Sequence, residues 1–519
     1  MNYEMMAYVL MNIAKVEGFL MLIPAIVSLI YGERDVALKI FEIALVSAGV
    51  GMVFTRKRPT RSELFIKDGL LIVGLAWIIF SIIGSMPYFL TGSIASPIDA
   101  FFETVSGFTT TGSTILTDIE ALPIGILFWR SFTHWIGGMG VLVFVMAIIP
   151  LSGGNTMNIM RAEVPGPTVD KLVPKTKQTA KILYYIYIAL TALEVILLML
   201  GGMPFIDSLT NSFSTAGTGG FCMKTDSIGY YNSAYIDGVI TVFMILFGIN
   251  FNLFYLVLLK KFKRIFKSEE LRAYIAIIAV AIGLITWNIY TMYGSVLTSF
   301  RYAAFQVATI ITTTGFMTTD FNLWPTFSKG ILLSLMIIGA CAGSTGGGIK
   351  VSRVLITFKY IKSEIKKVIQ PRSVSNITMD EKLIDDTVTK NVSAYLLIYT
   401  IIIIVSFILI TLNEFDLETS LTSVITCVNN VGPGFGKLVG PTGNFSVFST
   451  FLSSTFLPNP PFENGLKFSI VGTLLATEDL FKVPNLPPTY SKLSCFISYK
   501  NLEGFLKLSS LPQIFLVEA

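Results

Sequence analysis

Long apolar runs alternate with short charged ones along most of this chain. A helix crossing a bilayer core of about 30 Å needs about 20 mostly apolar residues. The pattern predicts nine such helices, over Met1–Ile30, Val36–Phe54, Gly69–Leu90, Trp135–Pro150, Ile182–Ile206, Gly238–Leu259, Ala273–Gly294, Gly330–Ile349 and Asn391–Asn413. Lys15 and Glu17 interrupt the first run. No short basic stretch and small-residue cleavage site mark that run as a removable signal, so it reads as a retained helix.

The polar connections between the runs fall into two kinds. One kind is basic: Arg56, Lys57, Arg58, Arg61 and Lys67 after the second run, then Arg161 to Lys181, Lys260 to Lys267, and the long stretch from Lys350 to Lys390. The other kind is neutral or acidic. Thr91–Leu122 holds Asp99, Glu103, Asp118 and Glu120 with no Lys or Arg, and three further connections hold one basic residue each, Lys224, Arg301 and Lys437. Strict alternation places the basic loops and the N-terminus in the cytoplasm. The acidic side chains would raise cation concentration at an outer mouth.

Composition fits this picture. Of 519 residues, 53% are apolar and 14% charged, against about 25% charged in soluble domains. Mean hydropathy is +0.70. A large soluble enzyme and a disordered chain are both excluded. Cys222, Cys341, Cys427 and Cys495 lack metal-site spacing, and the single histidine, His134, excludes chemistry needing two. No dinucleotide fingerprint, Walker A motif or catalytic dyad is present, so neither enzyme activity nor a cofactor is expected.

The outer connections repeat an internal order. Each has a helix-capable apolar segment, then a Thr/Ser/Gly run: DAFFETVSGFTTTGSTILTD (Asp99–Asp118), IDSLTNSFSTAGTGGFCMKTD (Ile206–Asp226), FRYAAFQVATIITTTGFMTTDF (Phe300–Phe321) and LETSLTSVITCVNNVGPGFG (Leu417–Gly436). Their glycines align at Gly112, Gly220, Gly315 and Gly432. One such run would be a surface loop; four at matching positions are architecture. Short re-entrant helices would turn their negative ends toward one axis, and Thr/Gly backbone could line it with carbonyl oxygens that replace the hydration shell of K⁺.

These segments resemble the four filter segments of the Trk/Ktr/HKT potassium transporter superfamily, most closely its TrkH-type membrane subunit. RSFTHWIGGMGVLVFVMAIIP (Arg130–Pro150), IMRAEVPGP (Ile159–Pro167) and GACAGSTGGGIKVSR (Gly339–Arg353) carry the same resemblance, which spans roughly residues 1–445. It implies an all-α polytopic membrane protein with four M1–pore loop–M2 repeats around one pore and two extra N-terminal helices. On this chain these would be helices within 1–55, then repeats at 68–150, 178–260, 271–368 and 390–447. The implied K⁺ filter is Thr109, Thr110, Thr111 and Gly112; Gly217, Thr218, Gly219 and Gly220; Thr312, Thr313, Thr314 and Gly315; and Asn429, Asn430, Val431 and Gly432. The first-segment glycine resembles K⁺-selective members. A gate below the filter is implied at Gly339, Gly343, Ser344, Thr345, Gly346, Gly347, Gly348 and Lys350. The glycines there disfavour helix; close helix packing is the alternative. The only expected metal is K⁺ as cargo. The expected setting is a prokaryotic cell membrane, with lipid, a second copy and a peripheral nucleotide-binding regulatory subunit as partners, and no nucleic acid.

Other residues read more plainly. His134 reads as packed or interfacial, with a pH sensor as the alternative. Arg130 reads by default as an interfacial anchor, with binding of lipid headgroups, pairing with an acid and an effect on the pore field as alternatives. Glu194 lies inside an apolar run, where a charge is costly; it is the candidate acid for a cation-coupled carrier, the rival to a filter-lined pore. Lys359–Lys367 reads as a solvated helix face or a docking patch. The stretch 448–519 departs from the family. It lacks a tenth span, and no arginine follows Arg372, where the family has an arginine on the last M2 helix. Two explanations compete: a genuine divergent end that packs differently, or a frame shift near residue 450, the favoured one, which could leave a non-conducting product.

Overall fold

The computed structural model describes residues 2–60, 66–138, 140, 176–372, 377–412 and 415–436. The expected elements in 141–175 and 437–519, including IMRAEVPGP, Lys437 and the last M2 helix, lie outside the described residues.

Among the described residues sixteen α-helices run in chain order: α1 (Tyr3–Ile30), α2 (Arg34–Phe54), α3 (Ile66–Leu90), α4 (Pro97–Phe108), α5 (Ile124–Gly138), α6 (Thr176–Leu200), α7 (Phe205–Gly217), α8 (Ala234–Phe247), α9 (Phe251–Leu258), α10 (Phe262–Lys267), α11 (Glu269–Tyr293), α12 (Val296–Ile311), α13 (Thr326–Ile338), α14 (Val351–Ile369), α15 (Asp386–Thr411) and α16 (Leu417–Asn429). Five of them, among the described residues, are long and apolar enough alone to cross a membrane. The chain is a multi-pass membrane protein.

α1 and α2 form an antiparallel pair. Gly18 lies against the backbone of Ala44 and Ala48, and Gly51 against Lys15; small residues let membrane helices approach this closely. The remaining helices repeat a unit. A long helix packs on the short helix that follows it: α3 on α4, α6 on α7, α11 on α12 and α15 on α16. The helix after each short one then packs on the short helix of the next unit: α5 on α7, α8 on α12 and α13 on α16. Neighbour relations of this kind close a ring when the fourth unit meets the first. Ile410 and Val424 of the fourth unit do so, sharing a core with Phe80, Phe108 and Trp129 of the first.

One expected helix needs correction. The run Gly238–Leu259 is not one continuous helix: α8 and α9 meet at 94° across Gly248–Asn250. Asn250 caps α9, accepting from the Asn252 N–H at 3.0 Å, which satisfies a terminal donor and fixes the break. A helix over Ile124–Gly138 covers the start of the run expected over Trp135–Pro150, most of which lies outside the described residues. The fold is all-α as expected, with one small hairpin besides. Thr378–Met379 and Lys382–Leu383 pair antiparallel in the long basic loop. Asp380 and Glu381 form their turn at positive φ of 51° and 65°, the geometry of a two-residue hairpin.

Candidate functional site

The four short helices end at one place, and they end alike. In each, the residue two before the aligned glycine is left-handed: Thr110 (φ 57°), Thr218 (φ 55°), Thr313 (φ 58°) and Asn430 (φ 55°). The next residue then donates its N–H to the carbonyl five back: Thr111 to Ser106 at 2.9 Å, Gly219 to Ser214 at 2.9 Å, Thr314 to Thr309 at 2.8 Å and Val431 to Thr426 at 2.9 Å. This is the Schellman way of closing a helix, with the αL residue just past its end.

Asparagine tolerates αL, but threonine there costs roughly 1–2 kcal/mol. Three left-handed threonines at equivalent positions therefore mark backbone that the surrounding fold imposes, the kind of outlier found at working sites. Local bonds help to hold it. The Thr110 and Thr218 hydroxyls donate to the Thr109 and Gly217 carbonyls at 2.7 and 2.6 Å. The Thr109 and Thr111 hydroxyls bond each other at 2.8 Å, as do Thr312 and Thr314.

The aligned glycines turn the chain a second time, with φ of 78° at Gly112, 77° at Gly220, 86° at Gly315 and 94° at Gly432. A methyl at Gly112 would meet the Gly219 carbonyl oxygen; at Gly220, that of Thr314; at Gly315, that of Val431; and at Gly432, that of Thr111. Each segment thus lies against the next, and the fourth against the first. The sixteen residues read from the four Thr/Gly runs are brought to one ring. Thr111 Oγ1 seals its last joint by donating to Asn430 Oδ1 at 3.0 Å.

The glycine-rich interruption lies on the side of this ring where the short helices end. Between α13 and α14 the chain leaves the helix from Gly339 to Lys350, with positive φ at Gly339, Gly343, Gly348 and Lys350. Gly347 N–H donates to Thr313 Oγ1 at 2.6 Å. Methyls at Gly346 and Gly347 would meet the carbonyls of Thr312 and Asn429, the last residues before the left-handed turns. Lys350 Nζ bonds back to the Gly346 carbonyl. The loop is also stitched to the break in the second unit. Cys341 N–H donates to the Gly248 carbonyl at 3.1 Å, Phe251 N–H to that of Gly343 at 3.0 Å, and Thr345 Oγ1 to that of Phe247 at 3.2 Å.

Two readings of single residues are overturned. Arg130 is no interfacial anchor, and Glu103 is no mouth charge. They form an ion pair at 2.6 Å with exposures of 1% and 0%. Glu103 also accepts from the Thr114 hydroxyl at 2.8 Å and from Ile115 N–H at 3.1 Å. Arg130 reaches the Cys222 carbonyl at 3.2 Å. Its guanidinium lies 3.6 Å from the Phe221 ring centre, and His134 stacks on the same ring at 4.1 Å. The pair therefore braces the strands that leave Gly112 and Gly220. A mouth charge would be solvated; these two groups are buried because each satisfies the other. His134 is packed, as expected. Glu194 is fully buried, with no hydrogen bond among the described residues. Lys359 is not merely solvated, since it pairs with Glu269 and with the Thr378 carbonyl.

Sequence reasoning missed the break at Gly248–Asn250 and the buried Glu270. The -GIN- triplet inside an apolar run was the available signal for the first. Glu270 stands among basic residues at a span's edge, where a solvated reading is natural.

A helical membrane protein whose four short helices converge on a ring of strained backbone belongs to the class of transport proteins built around a single central axis. The particular family follows from comparison. The TrkH family, described as cation transport protein, matches residues 36–454, and this chain belongs to it. A relative from Salmonella typhimurium, named Trk system potassium uptake protein TrkH, is 37% identical over 80% of this chain and 87% of its own. The relative of the same name from Halomonas elongata is 34% identical over 84% of this chain and 92% of its own. The crystal structure of the potassium transporter TrkH from Vibrio parahaemolyticus superposes with a TM-score of 0.79 at 29% identity, covering 94% of this chain and all of that one.

Proposed function

We propose that the chain takes up K⁺ across the cell membrane through the ring of Gly112, Gly220, Gly315 and Gly432, with Gly339–Lys350 as the gate. The fourfold repeat of one left-handed residue and one positive-φ glycine carries this reading. Such backbone holds carbonyl oxygens in a fixed set, the means by which a filter replaces the hydration shell of K⁺. The names of the relatives agree with this cargo. The loop suits a gate because it stands against the ends of α12 and α16 and is tied there by few bonds.

Ions move down their electrochemical gradient, and no covalent step or cofactor is involved. Lipid surrounds the chain, a second copy pairs with it, and a peripheral nucleotide-binding subunit regulates it through the basic cytoplasmic loops. The stretch 448–519 is read as replacing the native last helix. The family match ends at residue 454, and no arginine follows Arg372.

The test is growth at limiting K⁺, with Rb⁺ uptake, in a host lacking its own K⁺ uptake systems. The chain as it stands is run beside one whose C-terminus is restored to a full M2 helix. Uptake by the restored chain alone bears out both the pore and the lost helix. Uptake by both rejects the frame shift. Uptake by neither rejects the K⁺ pore.

A further inference from the structure

The gate loop is held from a helix that sequence reading gave no role. Glu270 stands in the first turn of α11, 6% exposed. One of its oxygens, Oε1, accepts from two backbone donors. These are Ala342 N–H in the loop at 2.7 Å and Ser352 N–H in the first turn of α14 at 3.1 Å. The carboxylate thus spans both ends of the loop.

The helix it caps lacks a cap of its own. Lys350 precedes α14 and makes no side-chain capping bond. The first N–H groups of a helix are unpaired within it and carry positive partial charge. A carboxylate from another helix supplies what Lys350 does not. The neighbouring residue extends the same grip: Glu269 pairs with Lys359 of α14 and accepts from Asp380 N–H at 3.2 Å in the hairpin turn. Two adjacent carboxylates on α11 therefore tie the loop, the helix beyond it and the cytoplasmic hairpin to one point.

We propose that Glu270 is the latch of the gate, a positioning residue that keeps the Gly339–Lys350 loop against the ring by bonding Ala342 and Ser352 at once. The inference rests on the reading of that loop as a gate. Without the latch the loop loses the one side chain that ties Ala342 to the head of α14; its remaining bonds, to Thr313, Gly248, Phe247 and Phe251 and from Ile349 and Lys350 to the end of α13, let its middle move. Glutamine keeps the accepting oxygen; alanine does not.

Cys341, buried and next to Ala342, reports loop position without any flux. The full chain, Glu270→Ala and Glu270→Gln are placed in membrane vesicles and exposed on the cytoplasmic side to a charged thiol reagent. Labelling that disappears on Cys341→Ser is the signal. Glu270→Ala is expected to label Cys341 about tenfold faster, the ratio that losing one bond to a charged acceptor supports, with Glu270→Gln near the parent. Rb⁺ flux is read on the same vesicles. Faster labelling with raised Rb⁺ flux bears out latch and gate together. Faster labelling without any flux, in parent or variant, bears out the latch and rejects conduction by this chain. Unchanged labelling in a Glu270→Ala protein that reaches the membrane in parental amount overturns the latch, whatever the flux. If Glu270→Ala does not reach the membrane, Glu270→Gln decides: labelling faster than about threefold over the parent overturns the acceptor argument.

Discussion

Four glycines hold the ring, and each is held by two constraints at once. Gly315 shows both: its φ is 86°, and a methyl would meet the Val431 carbonyl and the ring of Pro433. In the chain with its last helix restored, Gly315→Ala is therefore expected to cut Rb⁺ uptake at least about tenfold, since left-handed backbone alone costs roughly 1–2 kcal/mol with a side chain; uptake and membrane abundance measured together separate lost conduction from lost protein. The ion pair behind the ring belongs to the same scale. Arg130→Ala leaves Glu103 buried and unpaired, which costs roughly 3–5 kcal/mol, and less folded protein should survive heating in detergent. Replacing both partners by apolar residues of similar volume is expected to recover much of that loss. The glycines were legible in the sequence because φ > 0 has a residue signature. The pair was not, because Arg130 and Glu103 are 27 positions apart, and a lone charge near a span reads as surface.

At the scale of elements, the breaks matter as much as the helices. The interruption at Gly339–Lys350 was legible because five glycines disfavour helix. The 94° bend at Gly248–Asn250 was not, since the flanking runs are apolar and continuous. The two breaks meet: Cys341 and Gly343 bond to Gly248 and Phe251. Gly347→Ala places a methyl against the Asn429 carbonyl, and the loop must yield. Basal Rb⁺ uptake in vesicles is expected to rise as the loop yields, and the Rb⁺/Na⁺ ratio reads whether Asn429, itself a ring residue, moves with it; a lower rate at equal abundance would mean that the loop supports the ring instead of closing it.

Across the whole molecule, the four units form a ring from one chain, and the two N-terminal helices pack outside it against the first unit, α1 touching α3 and α5. The proposed pore needs no added group, so uptake into vesicles stripped with a chelator is expected to equal that into untreated ones. A fall after stripping, restored by a divalent ion, would reject a cofactor-free pore. The helical membrane class and the repetition of the short Thr/Gly segments followed from the sequence alone, because bilayer thickness and backbone satisfaction leave helices as the only economical answer to long apolar runs, and repetition survives in the residues. Tertiary structure alone decided which carbonyl faces which glycine, that Arg130 and Glu103 are one buried unit, and that Glu270 reaches both ends of the loop. Those facts depend on segments tens to hundreds of residues apart meeting within 3 to 4 Å, and no local pattern encodes such a meeting.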